Sequence, residues 1–257
     1  PGIDHVPDLS VGTPAPLRPL AAASLEQGLH CVVVMPTFNH ARFLMGVLAS
    51  LEKLPWPIVV VDDGSLDSTP QVLAEWQRET GGKHVVITLP QNCGKAAALL
   101  TGFAAALDRG FTHALTIDSD GQHDPNDLHA LVAAASLQPN ALVLGARPVQ
   151  IPGYPWTGRL GRWFSNHAVW AESGARVHDT QSGLRCYPLA NLPEARAGRY
   201  AYETEIITRA AWAGIPIVEV PITCTYTAPE GRVTHFRVLR DSLASLRLHA
   251  VLFTLAW

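Results

Sequence analysis

Residues 31–65 read CVVVMPTFNHARFLMGVLASLEKLPWPIVVVDDGS. The run Cys31–Met35 is short, apolar and rich in β-branched residues, a helix-like stretch follows from about Ala41 to Leu54, and Ile58–Val61 repeats the run. Continuous β-branched runs mark strands covered on both faces, and their alternation with helices implies right-handed crossovers in a parallel sheet. The rhythm continues outward. A helix over about Thr69–Thr80 precedes His84–Leu89, an alanine-rich helix over Lys95–Leu107 precedes His113–Ile117, and a helix over Pro125–Leu137 precedes a fifth strand at Ala141–Leu144. The first half therefore reads as a doubly wound α/β unit.

The flanks read differently. Residues 1–28 hold five prolines and no period, which predicts a tail, because proline withholds the backbone donors that regular structure needs. Arg147–Gly161, with three prolines and three glycines, suits a mobile loop. Helices are expected over Arg162–Glu172 and Glu203–Ala213, and Ile215–Tyr226 reads as an extended edge element, since Pro216 and Pro221 exclude it from the sheet interior. A last helix from Phe236 to Trp257 carries Arg237, Arg240 and Arg247 beside an apolar end. Three units result: a tail (1–28), an α/β domain (29–235) and a C-terminal amphipathic helix (236–257).

Composition narrows the function. Of 257 residues 47% are apolar and 16% charged, against a typical ~25%, which excludes whole-chain disorder. Nineteen Lys and Arg against 22 Asp and Glu leave a net charge of -3, so no global basic field holds nucleic acid and any anion site must be local. Cys31, Cys93, Cys186 and Cys224 form no C-x-x-C pair and read as free thiols. Neither an apolar run of 18 residues nor a secretory signal is visible.

Ligands of open α/β sheets bind beyond the carboxyl ends of the strands. After the first strand comes Pro36-Thr-Phe-Asn39, where a dinucleotide fold would carry G-x-G-x-x-G. After the second comes Asp62-Asp-Gly-Ser65, a turn that glycine permits; on its own it reads equally as a helix cap. After the third, Gln91-Asn-Cys-Gly-Lys95 sets a glycine and a lysine at a helix N-terminus, suited to a phosphate but not a P-loop, since Ala96 stands where Ser or Thr would hold magnesium. The fourth ends Asp118-Ser-Asp120-Gly-Gln122-His123. Two carboxylates one residue apart can share one hard cation, with Gln122 as a third oxygen donor and diphosphate oxygens completing the shell. His123 reads as an acceptor contact or ligand, or as a structural histidine. Further on, Asp179, Gln181 and Arg185 lie in a segment able to project into the cleft, Arg185 offering a cationic fork or, alternatively, an ion pair to Asp179. Glu203 and Glu205, at i and i+2, place at most one carboxylate at the site. Arg147, Arg232, His235 and Arg237 are candidate phosphate contacts.

In order, Val-Val-Met-Pro-Thr-Phe-Asn, Val-Val-Asp-Asp-Gly-Ser, Gln-Asn-Cys-Gly-Lys, Ile-Asp-Ser-Asp-Gly-Gln-His, Asp179-Thr-Gln-Ser-Gly-Leu-Arg185, Tyr200-Ala-Tyr-Glu-Thr-Glu205 and Val-Glu-Val-Pro-Ile resemble the family-2 glycosyltransferases of the GT-A fold. Within them the chain is most similar to the polyprenyl-phosphate branch, the dolichol-phosphate mannose synthase-like enzymes. The resemblance implies that Pro36, Thr37, Asn39 and Asp63 surround the nucleoside, that Lys95 approaches a UDP- or GDP-sugar donor, and that Asp118, Asp120 and Gln122 hold Mg²⁺ or Mn²⁺. It also implies a lipid-linked acceptor met at the membrane surface, in the cytoplasm at the inner face. His40 departs from the branch, which usually has an acidic residue there.

The implied reaction is one in-line displacement that inverts the anomeric carbon. A phosphate acceptor is already ionised and needs arginines more than a base; a hydroxyl acceptor needs a base, for which Asp179 is the candidate. The alternatives are the same chemistry on a lipid or glycan hydroxyl, and a nucleotide-sugar-binding protein without turnover.

Overall fold

The computed structural model describes residues 28–195, 201–226 and 238–256, the last segment by its backbone alone up to residue 244. Seven strands form one sheet in the order β3-β2-β1-β4-β6-β5-β7. They are β1 (Cys31–Thr37), β2 (Ile58–Asp62), β3 (Val85–Thr88), β4 (His113–Thr116), β5 (Leu142–Ala146), β6 (Arg185–Pro188) and β7 (Ile217–Pro221). The helices between them are α1 (Ala41–Leu51), α2 (Thr69–Glu79), α3 (Lys95–Leu107), α4 (Leu128–Leu137), α5 (Trp156–Ser173) and α6 (Ala201–Trp212), with α7 (Val238–Ala256) last.

The β-branched runs lie where both sheet faces are covered. Val33 and Met35 of β1 face a layer holding Leu44 and Leu48 of α1 and Leu131 of α4, while Val32 and Val34 face Leu99 and Phe103 of α3. Alternate side chains of a strand point to opposite faces, so each valine of the run is buried in one layer or the other. Small residues let α3 approach closely. A Cβ on Gly102 would overlap the Val34 side chain, and this contact carries the N-terminus of α3, with Lys95, to the carboxyl ends of β1 and β4.

Three readings are revised. Arg185–Pro188 is a strand, and it enters antiparallel between β4 and β5, pairing Cys186 with Leu115 on one side and Val143 on the other. Its four residues, one of them proline, are too few for periodicity to register. Helix α5 begins at Trp156, so the loop after β5 is shorter than the prolines and glycines suggest; Pro155 sits at its N-cap, where a missing N–H costs nothing. The segment Pro125–Asp127 is a 3₁₀ turn preceding α4. β7 lies at the sheet edge, as its prolines require. All four cysteines are free thiols. Residues 1–27 of the proline-rich tail lie outside the described residues, as do Arg232, His235 and Arg237.

Candidate active site

The antiparallel entry of β6 creates the site. The carboxyl ends of β1, β2, β4 and β5 share one edge of the sheet, and a strand running the other way brings its preceding segment, residues 179–184, to that same edge. Thr116 at the end of β4 donates its hydroxyl to the carbonyl of Gly183 at 2.8 Å. Gly183 in turn lies flush against Asp118: a Cβ there would overlap the carboxylate.

Asp118 is at the centre. Its Oδ1 lies 2.6 Å from Lys95 Nζ, which also lies 3.0 Å from Glu203 Oε1 on α6. Burial disfavours the charge of Asp118, but Lys95, with smaller contributions from His123 and His40, outweighs it and holds the carboxyl below its ordinary range. Burial likewise opposes the charge of Lys95, and Asp118 and Glu203 overcome it, raising the ammonium pKa above the usual lysine value. Asp120 behaves oppositely: burial first, and then the charge of Asp118, push its pKa up, against the weaker opposing effects of the Gln122 amide, His123 and Lys95. Its Oδ1 accepts the Gln122 amide, at 3.0 Å.

This donor set fits a divalent cation whose remaining ligands come from elsewhere. Among the described residues no three His, Cys, Asp or Glu side chains form a closed metal cage. Asp118 and Asp120 are two like charges at one strand end, and hard cations are held in that manner by one or two carboxylates together with substrate phosphates. Gln122 follows in the same turn, its carbonyl accepting the Thr225 amide at 2.9 Å. His123 is buried beside both carboxylates, its Nδ1 without a hydrogen-bond partner among the described residues; burial lowers its pKa, with Asp118 and Asp120 acting the other way.

The residues assigned to the nucleoside pocket are brought together, but partly by their own bonds. Asp63 accepts the amides of Cys93 and Gly94 at 2.7 and 2.8 Å, so it fixes the loop that opens α3, as the cap reading of D-D-G-S allows. Gly64 has φ +68° and abuts the backbone of Gln91, so this turn requires glycine twice over. Asn39, at φ +53°, accepts the Leu66 amide at 2.7 Å and donates its own amide to Ser65 Oγ at 2.9 Å. Pro36 is buried within β1, and Thr37 leaves its buried Oγ1 without a partner at the strand end. His40 meets the site through a 2.7 Å hydrogen bond between its Nδ1 and Ser119 Oγ, the residue between the two aspartates.

On the acceptor side the sequence expectations change. Asp179 pairs with Arg147, not Arg185: Nε and Nη2 of Arg147 donate to its two oxygens at 2.6 and 2.9 Å, and Arg162 of α5 stands 3.6 Å away. Burial opposes this charge, yet the two arginines keep the Asp179 carboxyl below its ordinary range, which makes it a poor proton acceptor. Arg185 is wholly buried. It donates to the carbonyls of Ser182, Thr180 and Glu203 at 2.8, 2.8 and 2.6 Å, so its fork ties the 179–184 segment to α6 and does not open onto the cleft. Gln181 is exposed against Gly161 of α5. Glu203 is the residue the sequence left undecided: it reaches Lys95, while Glu205 pairs with Arg209 at 2.5 Å on its own helix.

Residues 32–190 match the family model described as glycosyl transferase family 2. A relative from Methanococcus voltae named UDP-N-acetylglucosamine--dolichyl-phosphate N-acetylglucosaminyltransferase is 29% identical, over 76% of this chain and 85% of its own. The polyprenol monophosphomannose synthase of Mycolicibacterium smegmatis is 28% identical, over 79% of this chain and 80% of its own. In fold the chain is similar to the mannosyltransferase PcManGT from Pyrobaculum calidifontis, solved in complex with GDP-Man and Mn²⁺, with a TM-score of 0.59 and 20% identity over 87% of this chain and 64% of that one.

Proposed function

From the premise that this chain belongs to glycosyl transferase family 2 and is a glycosyltransferase of the GT-A fold, we propose that it transfers a sugar from a nucleoside diphosphate sugar to a polyprenyl-phosphate-type acceptor. The observation that carries the reading is the pair Asp118 and Asp120, with Lys95 at 2.6 Å from the first, at the carboxyl end of β4. The lipid-phosphate relatives support the acceptor class.

Asp118, Asp120 and Gln122 would hold Mg²⁺ or Mn²⁺, which supplies positive charge to the diphosphate as it departs. Lys95 lies within reach of the same phosphates and adds a second cation to that side, while Asn39, Asp63 and Thr37 shape the floor on which the nucleoside rests. The sugar then faces the 179–184 segment and Arg147, and the acceptor attacks in line, with inversion at the anomeric carbon. A phosphate acceptor arrives ionised. The arginine-clamped Asp179 supports that route, because a hydroxyl acceptor would need a free base and Asp179 is held in its anionic form by Arg147 and Arg162.

The outer face of α5 supports contact with a membrane surface. Trp156, Leu160, Trp163, His167 and Trp170 follow one another at spacings of four and three and are all exposed, while Arg162, Ser165 and Val169 on the opposite face are buried toward the site. No helix among the described residues is long and apolar enough to cross a membrane.

The test is thermal melting with UDP or GDP, each with and without Mn²⁺, followed by transfer assays offering a polyprenyl phosphate and the matching polyprenol. Stabilisation by a nucleoside diphosphate that requires the metal, and product from the phosphate alone, are expected. Product from the alcohol alone would reject the acceptor assignment.

A further inference from the structure

Glu203 is buried beside Lys95 and has no role yet in the reaction. Lys95 is one ammonium between two carboxylates: Asp118, on the strand end that meets the donor, and Glu203, in the first turn of α6. Its side chain is 14% exposed and that of Glu203 is 7% exposed, so neither charge has water to retreat to. In this state Lys95 supplies the positive charge that Asp118 requires, at 2.6 Å. A divalent cation arriving at Asp118 brings a like charge against that ammonium, and the two compete for the same carboxylate.

We propose that Glu203 is a positioning residue to which Lys95 is handed when a divalent cation engages Asp118, so that the metal replaces Lys95 at one carboxylate while the lysine remains charged, buried and aimed at the diphosphate. The inference rests on the metal reading given above. Glu203 is suited to receive the lysine because its backbone is anchored: its main-chain carbonyl accepts Arg185 Nη1 at 2.6 Å, and Arg185 also holds Ser182 and Thr180, beside the glycine that abuts Asp118. A carboxylate in the first turn of a helix is further favoured by the positive end of the helix dipole. No bond is made or broken; only the counter-ion of Lys95 changes.

The experiment is a Mn²⁺ titration of the full chain followed by electron paramagnetic resonance, without nucleotide, on wild type, Glu203→Gln, Lys95→Met and the double variant, with circular dichroism as the control for folding. Glu203→Gln leaves Lys95 dependent on Asp118 alone, so it is expected to weaken Mn²⁺ binding by roughly 10–100-fold, the range for loss of an outer-shell partner. Lys95→Met removes the competitor and is expected to tighten it. In the double variant the Glu203 effect disappears, and Glu203→Asp restores part of the wild-type affinity; a merely structural role would weaken binding in every variant. Equal affinity of Glu203→Gln and wild type, or an equal loss in the Lys95→Met background, overturns the hand-over and leaves the metal reading intact. Absence of Mn²⁺ binding in all four proteins overturns both. If Glu203→Gln does not fold, Lys95→Met decides: affinity at or below wild type rejects the proposal.

Discussion

Gly183 and Asp118 are in backbone-to-carboxylate contact so close that a methyl group at residue 183 has no space. The segment before β6 is thus a wall of the proposed cation site, although 65 residues separate it from Asp118 in the sequence. Gly183→Ala is expected to displace the Asp118 carboxylate, and a shift of about 1 Å at a reacting centre costs on the order of 10²-fold in rate. The fold should survive with a loss of about 1–3 kcal/mol from overpacking. Turnover, Mn²⁺ affinity and urea unfolding measured on the same preparation check this; wild-type turnover would show that Asp118 is not needed where it lies.

Asp120 carries the opposite expectation for stability. Burial and the neighbouring Asp118 charge disfavour its ionised form, so its loss removes a repulsion from the metal-free protein. Asp120→Ala should leave the metal-free melting temperature unchanged or raised while transfer falls by on the order of 10²–10³-fold, as when one electrostatic partner of a leaving group is removed. Full activity of the wild type in chelator would reject the metal assignment.

What the sequence made legible follows from what a local pattern can encode. Each β-branched run with its helix stated its own place, and Asp118-Ser-Asp120-Gly-Gln122 could be read as a candidate cation site because all of its oxygen donors lie within five residues. Strand β6 was silent, since four residues beginning with a buried arginine show no period. Arg185 and Asp179 misled for a related reason: a charge in a loop reads as available, and only the fold shows that Arg185 meets three carbonyls and that Asp179 meets Arg147 from the end of β5. The i, i+2 spacing allowed at most one of Glu203 and Glu205 to face the site, and tertiary contact with Lys95, more than a hundred residues away, shows that it is Glu203.

The Arg147–Asp179 pair predicts a pH dependence of stability. The Asp179 carboxyl titrates below its unfolded value near 3.9, so the stability it confers is present above about pH 4 and is lost as pH falls through the lower folded value. Asp179→Asn leaves Arg147 without its counter-ion in a buried setting, which costs about 3–5 kcal/mol at pH 7. The gap between wild type and variant in urea unfolding should narrow as the pH is lowered from 7 to 3. A gap that is constant across that range would mean the pair contributes through packing and not through charge.

The last prediction concerns the exposed stripe of α5. Trp156, Trp163 and Trp170 are 73%, 57% and 47% exposed, and a contiguous exposed apolar stripe of this kind marks an interaction surface. Tryptophan is enriched where an apolar body meets lipid and a polar edge meets headgroups. Exposed arginines accompany the stripe: Arg159 on α5 itself and Arg176 with its guanidinium 5.9 Å from the Trp170 ring. Each arginine near an anionic surface contributes on the order of 1 kcal/mol, so the attraction should weaken with salt as the Debye length shrinks. Among the described side chains of α7, Leu246, Val251, Phe253 and Leu255 are exposed while Leu252 and His249 pack inward. The wild-type chain is therefore expected to float with anionic vesicles at low salt and to release at high salt, whereas Trp163→Glu with Trp170→Glu should remain in the soluble fraction. Because those side chains point away from Asp118 and Lys95, the double variant should keep its metal-dependent stabilisation by nucleoside diphosphate. If it floats as well as the wild type, α5 is not the docking face, and a chain ending at Arg237 then tests whether α7 is.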